Sequence, residues 1–291
     1  MAKILGVGIA TLDIINTVAS YPDEDSEVRA ENQVIKRGGN ATNTLVILSQ
    51  LGHQCYWAGT LANETDADRI IDDLDKYRIN HQYAKTYSTG KVPTSYILLN
   101  ESNGSRSIVH YRDLPELSCK DFNEIPLEGF DWIHFEGRNT DQTLLMLQQV
   151  KESIPHTTCS LEIEKQRDNI EQLYPYADVL IFSKTFCQQS PYKSADSFLN
   201  QMHLTYPDKT LILAWGDLGS YALSAETGFI HSPAIKPDSV TDTLGAGDTF
   251  NAGLINALFN KKILQDALHD ANKLASLKIT KNGLDLPTDE L

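Results

Sequence analysis

Apolar, β-rich runs alternate with amphipathic stretches through most of the chain. The runs at 4–8, 55–60, 132–136, 158–163, 179–183 and 211–215 predict strands, and the stretches at 40–51, 66–77, 141–152 and 195–204 predict helices between them. That alternation implies a mostly parallel sheet covered by helices on both faces, an α/β fold. Gly52, directly after an apolar helix, reads as its C-terminal cap. Two more helices are predicted near the end, from 246 to about 260 and from 263 to about 280.

Two regions break the rhythm. Residues 27–36 alternate like an exposed strand, and 94–111 reads as a hairpin turning at Asn103-Gly104. Neither has a helix nearby to cover it, so both are expected in a small lid sheet, with strands at about 26–37 and 94–111. A second hairpin is expected at 221–232, around Thr227-Gly228. No repeat or linker interrupts the chain, and a single domain over 1–291 is expected.

A 291-residue chain with 41% hydrophobic content can bury a full core. Its 25 Lys and Arg against 39 Asp and Glu give a net charge of −14, which argues against nucleic acid or an anionic membrane as partner. Cys55, Cys119, Cys159 and Cys187 are scattered without a CxxC pair, as suits a reducing compartment. The eight histidines form no HExxH or other close ligand pair. The N-terminal MAKILGVGIATLDII reads as a first strand and lacks a signal peptide's apolar core and cleavage site. No apolar run approaches the ~18 residues of a membrane span. A cytoplasmic location is expected.

The chemistry concentrates in DTLGAGDTFNAG, at 242–253. Gly245, Ala246 and Gly247 let backbone N–H groups converge on an anion, and the helix that follows adds unpaired donors and a positive dipole end. An acid there is repelled by bound phosphate, so Asp248 needs a reason: it can take the proton from a hydroxyl attacking that phosphate. The plainer alternative is a helix N-cap. A second motif, RGGNATN at 37–43, places Asn40 and Asn43 before a helix, where their amides can bond a polyol's hydroxyls in both directions; Asn40 alone could equally be a cap. Asp13, placed just after the first strand, stands where open α/β sheets bind ligands, or is a surface loop acid.

Together these motifs resemble the ribokinase-like carbohydrate kinases, the PfkB family: RGGNATN is similar to its N-terminal signature and DTLGAGDTFNAG to its C-terminal one. Within the family, YPDEDSEVR, SNGSRSIV, HFEGRN and LAWGDLGSYAL most resemble the ketohexokinase type and span nearly the whole chain. The resemblance implies a three-layer α/β/α sandwich with a β-clasp lid and MgATP-dependent phosphorylation of a sugar hydroxyl, most specifically D-fructose to fructose 1-phosphate. Asp248 would be the base, and Gly245, Ala246 and Gly247 the anion hole. Asp13, Gly39, Asn40 and Asn43 would hold the sugar. Arg106, the Gly216-Asp217-Leu218-Gly219 turn and Asn272 would face the nucleotide; without the family, Arg106 reads as a solvated strand residue. A homodimer clasped through the lid is implied, with Asp25 reaching the partner's sugar; otherwise Asp25 is one more acid in an acidic run. A potassium site is implied near Asp242 and the 281–283 loop.

The sequence departs from the family at Ser183-Lys184-Thr185-Phe186, where many members carry Asn-x-x-Glu, so no direct metal ligand is named. Alternatives are the same chemistry on a modified ketose, ribose, a keto-deoxy sugar acid or a nucleoside, or a non-catalytic sugar- or nucleotide-binding regulator. A nucleotide-cofactor oxidoreductase is rejected, because the turn 6–11 lacks the third glycine of that fingerprint.

Overall fold

The structure, a computed structural model, describes residues 1–287; residues 288–291 of the expected domain lie outside the described residues. From the N-terminus run β1 (Lys3–Val7), β2 (Thr11–Val18), β3 (Asn32–Gly38), α1 (Asn40–Gln50), β4 (Gln54–Ala58), β5 (Thr60–Ala62) and α2 (Thr65–Lys76). Next come β6 (Lys85–Tyr87), β7 (Thr94–Asn100), β8 (Arg106–Tyr111), α3 (Cys119–Phe122), β9 (Trp132–Glu136), α4 (Thr140–Ser153) and β10 (Thr158–Ile163). The rest are β11 (Val179–Ser183), α5 (Lys184–Gln189), α6 (Ala195–Thr205), β12 (Thr210–Ala214), β13 (Ser220–Ser224), β14 (Gly228–Ser232), α7 (Ala246–Phe259) and α8 (Leu264–Ile279).

The main sheet has the order β14-β13-β12-β11-β10-β9-β1-β4; its strands are parallel from β4 to β12, and β13 and β14 close one edge antiparallel. Neighbouring residues on one strand enter opposite layers. Ile4, Val179 and Ile181 pack with α1, α7 and α8, whereas Leu5, Leu180 and Phe182 pack with α4 and α6. Burial on both faces explains why these strands read as continuous apolar runs. The parallel strands put their carboxyl ends on one side, where residues 136–138, 162, 164–165, 181–183 and 214 border a large cleft.

The lid is a separate four-stranded sheet of order β3-β2-β7-β8. The expected hairpin is present as β7 and β8, with Gly104 at φ +70 in its loop. The expected strand at 26–37 becomes β3, which starts at Asn32 and leaves the charged run before it exposed and irregular.

One placement needs correction. Asp13 does not follow the first strand in a loop; it lies within β2, a lid strand. After β1 the chain passes through Gly8-Ile9-Ala10 and leaves the main sheet, so the stretch read as one strand is two, in different sheets. A shorter break divides the strand expected at 55–60. A Cβ on Gly59 would lie 2.3 Å from the Trp57 ring and 2.5 Å from the Gly8 oxygen, and there β4 gives way to β5, which pairs with β6. Gly52 does terminate α1, at φ +88 just past its last turn.

Candidate active site

The cleft between the sheet ends, the start of α7 and the underside of the lid encloses about 960 Å³, a size suited to a small-molecule site. Asp13, Gly39, Asn40, Asn43, Arg106, Gly245, Ala246, Gly247 and Asp248 all line it. Residues far apart in the sequence thus meet at one cavity.

Asp248 is the third residue of α7 and therefore not its N-cap, a place taken by Gly245 in the left-handed region at φ +79. Its carboxyl is buried, and Asn43 Nδ2 donates to Oδ2 at 2.7 Å. Burial pushes its pKa up to about 7; the Asn43 hydrogen bond opposes that, while the Glu164 and Glu136 carboxylates add to it. A carboxyl near neutrality is matched to general-base work. The first N–H groups of α7 have no preceding helical turn to accept them. Ala246 N–H makes one long contact to Thr243 O, at 3.3 Å. A Cβ on Gly247 would meet no atom within 4 Å, so this backbone faces open cavity.

Asn43 does not choose its orientation freely. Arg37 Nη1 donates to Asn43 Oδ1 and to Thr42 Oγ1, both at 2.8 Å, while Arg37 Nε donates to Asp73 Oδ2 at 2.6 Å. With its oxygen held by a guanidinium, the amide must turn its nitrogen toward Asp248. Asn40 is the first residue of α1 rather than its cap, and its Nδ2 donates to Glu164 Oε2 at 3.2 Å. Gly39, the actual N-cap, holds φ +110 with the Ile9 oxygen 2.1 Å from where a Cβ would be. Only glycine satisfies both conditions.

The lid supplies the opposite wall. Asp13 lies level with Ser95 of β7, which pairs in turn with His110 of β8, and all three residues line the cavity. Thr11 Oγ1 donates to Asp13 Oδ1 at 2.9 Å, and burial outweighs that bond in raising the Asp13 pKa.

Charges given no role in the sequence reading complete the site. Arg112, Arg138, Lys165 and Arg167 line the cavity with Glu162 and Glu164. Arg138 bonds Glu136 Oε2 and Glu116 Oε1, each at 3.0 Å, and Arg112 shares Glu116. Arg167 Nε donates to the Gly137 oxygen at 3.0 Å. Burial and the neighbouring Arg138 and Arg167 lower Arg112 to about 10. Glu162 is driven well above the usual carboxylate range by burial, then by Asp248, Glu136 and Glu164. Its Oε1 accepts from Asn251 Nδ2 at 3.0 Å, and its buried Oε2 has no partner. Two acids at one wall, one with an unsatisfied oxygen, fit a hard cation held through water. Among the described residues no cluster of three or more His, Cys, Asp or Glu could bind a metal directly.

Other expected residues lie outside the cavity lining. The one-turn helix at 216–218 follows Ala214, which does line it, and Asp217 is exposed and paired with Lys184 Nζ at 3.1 Å. Gly219, at φ +91, is fixed by the Ser232 oxygen, 2.2 Å from where a Cβ would be. Asn272 is buried on α8, and its Nδ2 donates to the Ser232 oxygen at 3.0 Å and to Ser232 Oγ at 3.1 Å. Asp25 is exposed in the β2–β3 connection, at φ +60.

Comparison with known proteins places the chain in a family. The family model for pfkB family carbohydrate kinases matches residues 1–291. The chain is 38% identical to mouse (Mus musculus) ketohexokinase, over 97% of this chain and 98% of that protein. It is 22% identical to Bacillus subtilis ribokinase, over 97% and 94%. Among solved structures, Giardia lamblia ribokinase superposes with a TM-score of 0.84 at 16% identity, covering 100% of this chain and 97% of that one. Arabidopsis thaliana ribokinase complexed with ribose and ATP gives 0.82 at 19% identity, covering 100% and 95%. The fold is therefore that of the ribokinases, and the chain belongs to the pfkB family of carbohydrate kinases as an ATP-dependent carbohydrate kinase.

Proposed function

We propose that the protein transfers the γ-phosphate of MgATP to a hydroxyl of a ketohexose, converting D-fructose to fructose 1-phosphate, with Asp248 as general base. The observation that carries this reading is the buried Asp248 carboxyl beside the open backbone of Gly247 and hydrogen-bonded to Asn43. The likeness to mouse ketohexokinase along nearly the whole chain supports a ketohexose as the acceptor.

In this reading Asp13, Gly39, Asn40 and Asn43 hold the sugar between the lid and α1. Asp248 takes the proton of the attacking hydroxyl as its oxygen bonds to the γ-phosphorus. The bond from that phosphorus to the bridging oxygen breaks, and ADP leaves. The amides of Gly245, Ala246 and Gly247 receive the charge spread over the phosphoryl oxygens. Arg106 at the lid edge and the 216–219 turn contact the nucleotide; Asn272, its nitrogen committed to Ser232, offers Oδ1. Glu162 and Glu164 would hold Mg²⁺ through water, and the ion would supply charge neutralisation on the nucleotide phosphates.

The lid also supports a homodimer. Ile35, Tyr96 and Val109 form an apolar row across the sheet, with Ile14 between Ile35 and Tyr96, and each of the three is at least 40% exposed. Pairing of two lids would cover that row and carry Asp25 toward the partner's sugar.

A second reading is favoured by one observation. Arg112, Arg138, Lys165 and Arg167 all line the cavity, and an acceptor that carries its own anion, such as a sugar acid or sugar phosphate, would match them. ADP release is measured with MgATP against fructose, other ketohexoses, aldoses, sugar acids, sugar phosphates and nucleosides. Selective turnover of fructose supports the first reading; selective turnover of an anionic acceptor replaces it with the second. No turnover of any acceptor refutes both.

A further inference from the structure

The potassium site implied at Asp242 and the 281–283 loop is not matched by the residues there. Lys278, in the last turn of α8, has a side chain that is 0% exposed. Its Nζ donates to the main-chain oxygen of Asp242 at 2.7 Å and to that of Lys281 at 3.4 Å, and stands 3.2 Å from Asp242 Oδ2. Carbonyl and carboxylate oxygens are what a hard alkali cation takes as ligands, and here a tethered ammonium has them. Lys36 Nζ adds a second positive charge 3.8 Å from the same carboxylate oxygen. A free cation entering this place would meet two like charges.

The position of this ammonium couples it to the catalytic loop. Asp242 Oδ1 accepts from Leu244 N–H at 2.9 Å, and Oδ2 accepts from Gly283 N–H at 3.2 Å. Thr241 and Asp242 both donate their N–H to the Ile279 oxygen, at 2.7 and 3.2 Å. Leu284 presses on Gly245, where a Cβ would be 2.9 Å from Leu284 Cδ2. The segment that delivers Gly245, Ala246, Gly247 and Asp248 to the cavity is thus pinned to the end of α8, with Lys278 at the centre of the pin. A cation is also favoured at that helix terminus. A lysine is almost never fully buried unless paired, and here the pairing supports a loop rather than filling a core.

We propose that Lys278 is a built-in monovalent cation that positions the anion-hole loop, so that turnover does not depend on potassium. This rests on the assignment of Gly245–Asp248 as the reacting segment, and Lys278 acts through that segment without touching substrate.

Wild-type turnover is compared at constant ionic strength in potassium, sodium and tetramethylammonium salts, and Tm is read in the same series. Wild-type rates stay within about twofold of one another, whereas Lys278→Ala loses on the order of 100-fold, the cost of slight misplacement of a reacting group. Potassium or ammonium, but not tetramethylammonium, then restores roughly tenfold of that loss and raises the Tm of Lys278→Ala without moving that of the wild type. Tenfold or greater activation of the wild type by potassium over sodium overturns the proposal. So does a folded Lys278→Ala protein whose rate and Tm ignore potassium and ammonium. If the alanine protein does not fold, the wild-type series decides alone. If no acceptor is turned over, the functional reading fails while the Tm comparison still tests the cation.

Discussion

Asp248→Asn tests the assignment at the centre of the site, because the same carboxyl should carry catalysis and burden the fold. Asparagine keeps the volume, and its side-chain oxygen can still accept from Asn43 Nδ2, now at 2.7 Å from Asp248 Oδ2. What disappears is the proton acceptor. Loss of a general base costs typically 10²–10⁴-fold in kcat, about 3–5 kcal/mol of barrier. The stability effect runs the other way. An ordinary aspartate titrates near 3.8 and this one near about 7, so ionising it inside the fold costs up to about 4 kcal/mol. A raised folded-state pKa gives stability that is fully present below about pH 4 and lost as pH rises through about 7. The wild type bears the full cost above neutrality, and the asparagine protein never does. At roughly 2 °C per kcal/mol for a chain of this size, Asp248→Asn should melt up to about 8 °C higher at pH 8 and no higher at pH 4. Differential scanning fluorimetry of both proteins across that range, beside kcat and the binding of sugar and nucleotide, makes the comparison. A kcat within tenfold of wild type, or a Tm difference that does not grow with pH, refutes the reasoning.

The remaining predictions concern the residues around it. Because Asp248 must be unprotonated to act, kcat/KM should climb with pH through a midpoint near about 7 and level above it; a flat profile between pH 6 and 8 would remove it as base. Gly38→Ala places a methyl where Asp13 Oδ2 lies 2.3 Å and Thr11 Oγ1 2.5 Å away, so it should raise the acceptor KM by roughly tenfold with the ATP KM unchanged. Equal effects on both substrates would move Asp13 out of the sugar site. Asp25→Ala should raise the acceptor KM in a lid-clasped dimer, with the oligomeric state read by light scattering; an unchanged KM in a proven dimer excludes Asp25 from the site.

The motifs that can be read from the chain are those whose chemistry is local. DTLGAGDTFNAG combines missing side chains, a helix start and one acid within a few residues, and the structure puts Gly245 at the N-cap with Asp248 in the first turn. RGGNATN behaves the same way, and the alternation of apolar runs with helices leads to the correct layers. Pattern alone misplaces Asp13 because β1 and β2 are divided only by Gly8-Ile9-Ala10, and periodicity does not say that a chain has changed sheets. Arg37 stands in plain view within a motif, but its service to Asn43 depends on Thr42, Asn43 and Asp73 converging on one guanidinium.

Local sequence by itself determined the elements, the helix that presents Asp248 and the residues able to approach a phosphate, because glycine conformation and helix-end donors depend on near neighbours. Tertiary structure alone decided the electrostatics. Glu136 ends β9, Glu162 lies on β10 and Arg112 follows β8; separate segments of the chain bring these charges to one cleft and its border, and Lys278, in the last turn of α8, to Asp242. The pKa of Asp248 is a property of that assembly, since burial and the long-range field of other carboxylates set it, and neither exists until the chain has folded.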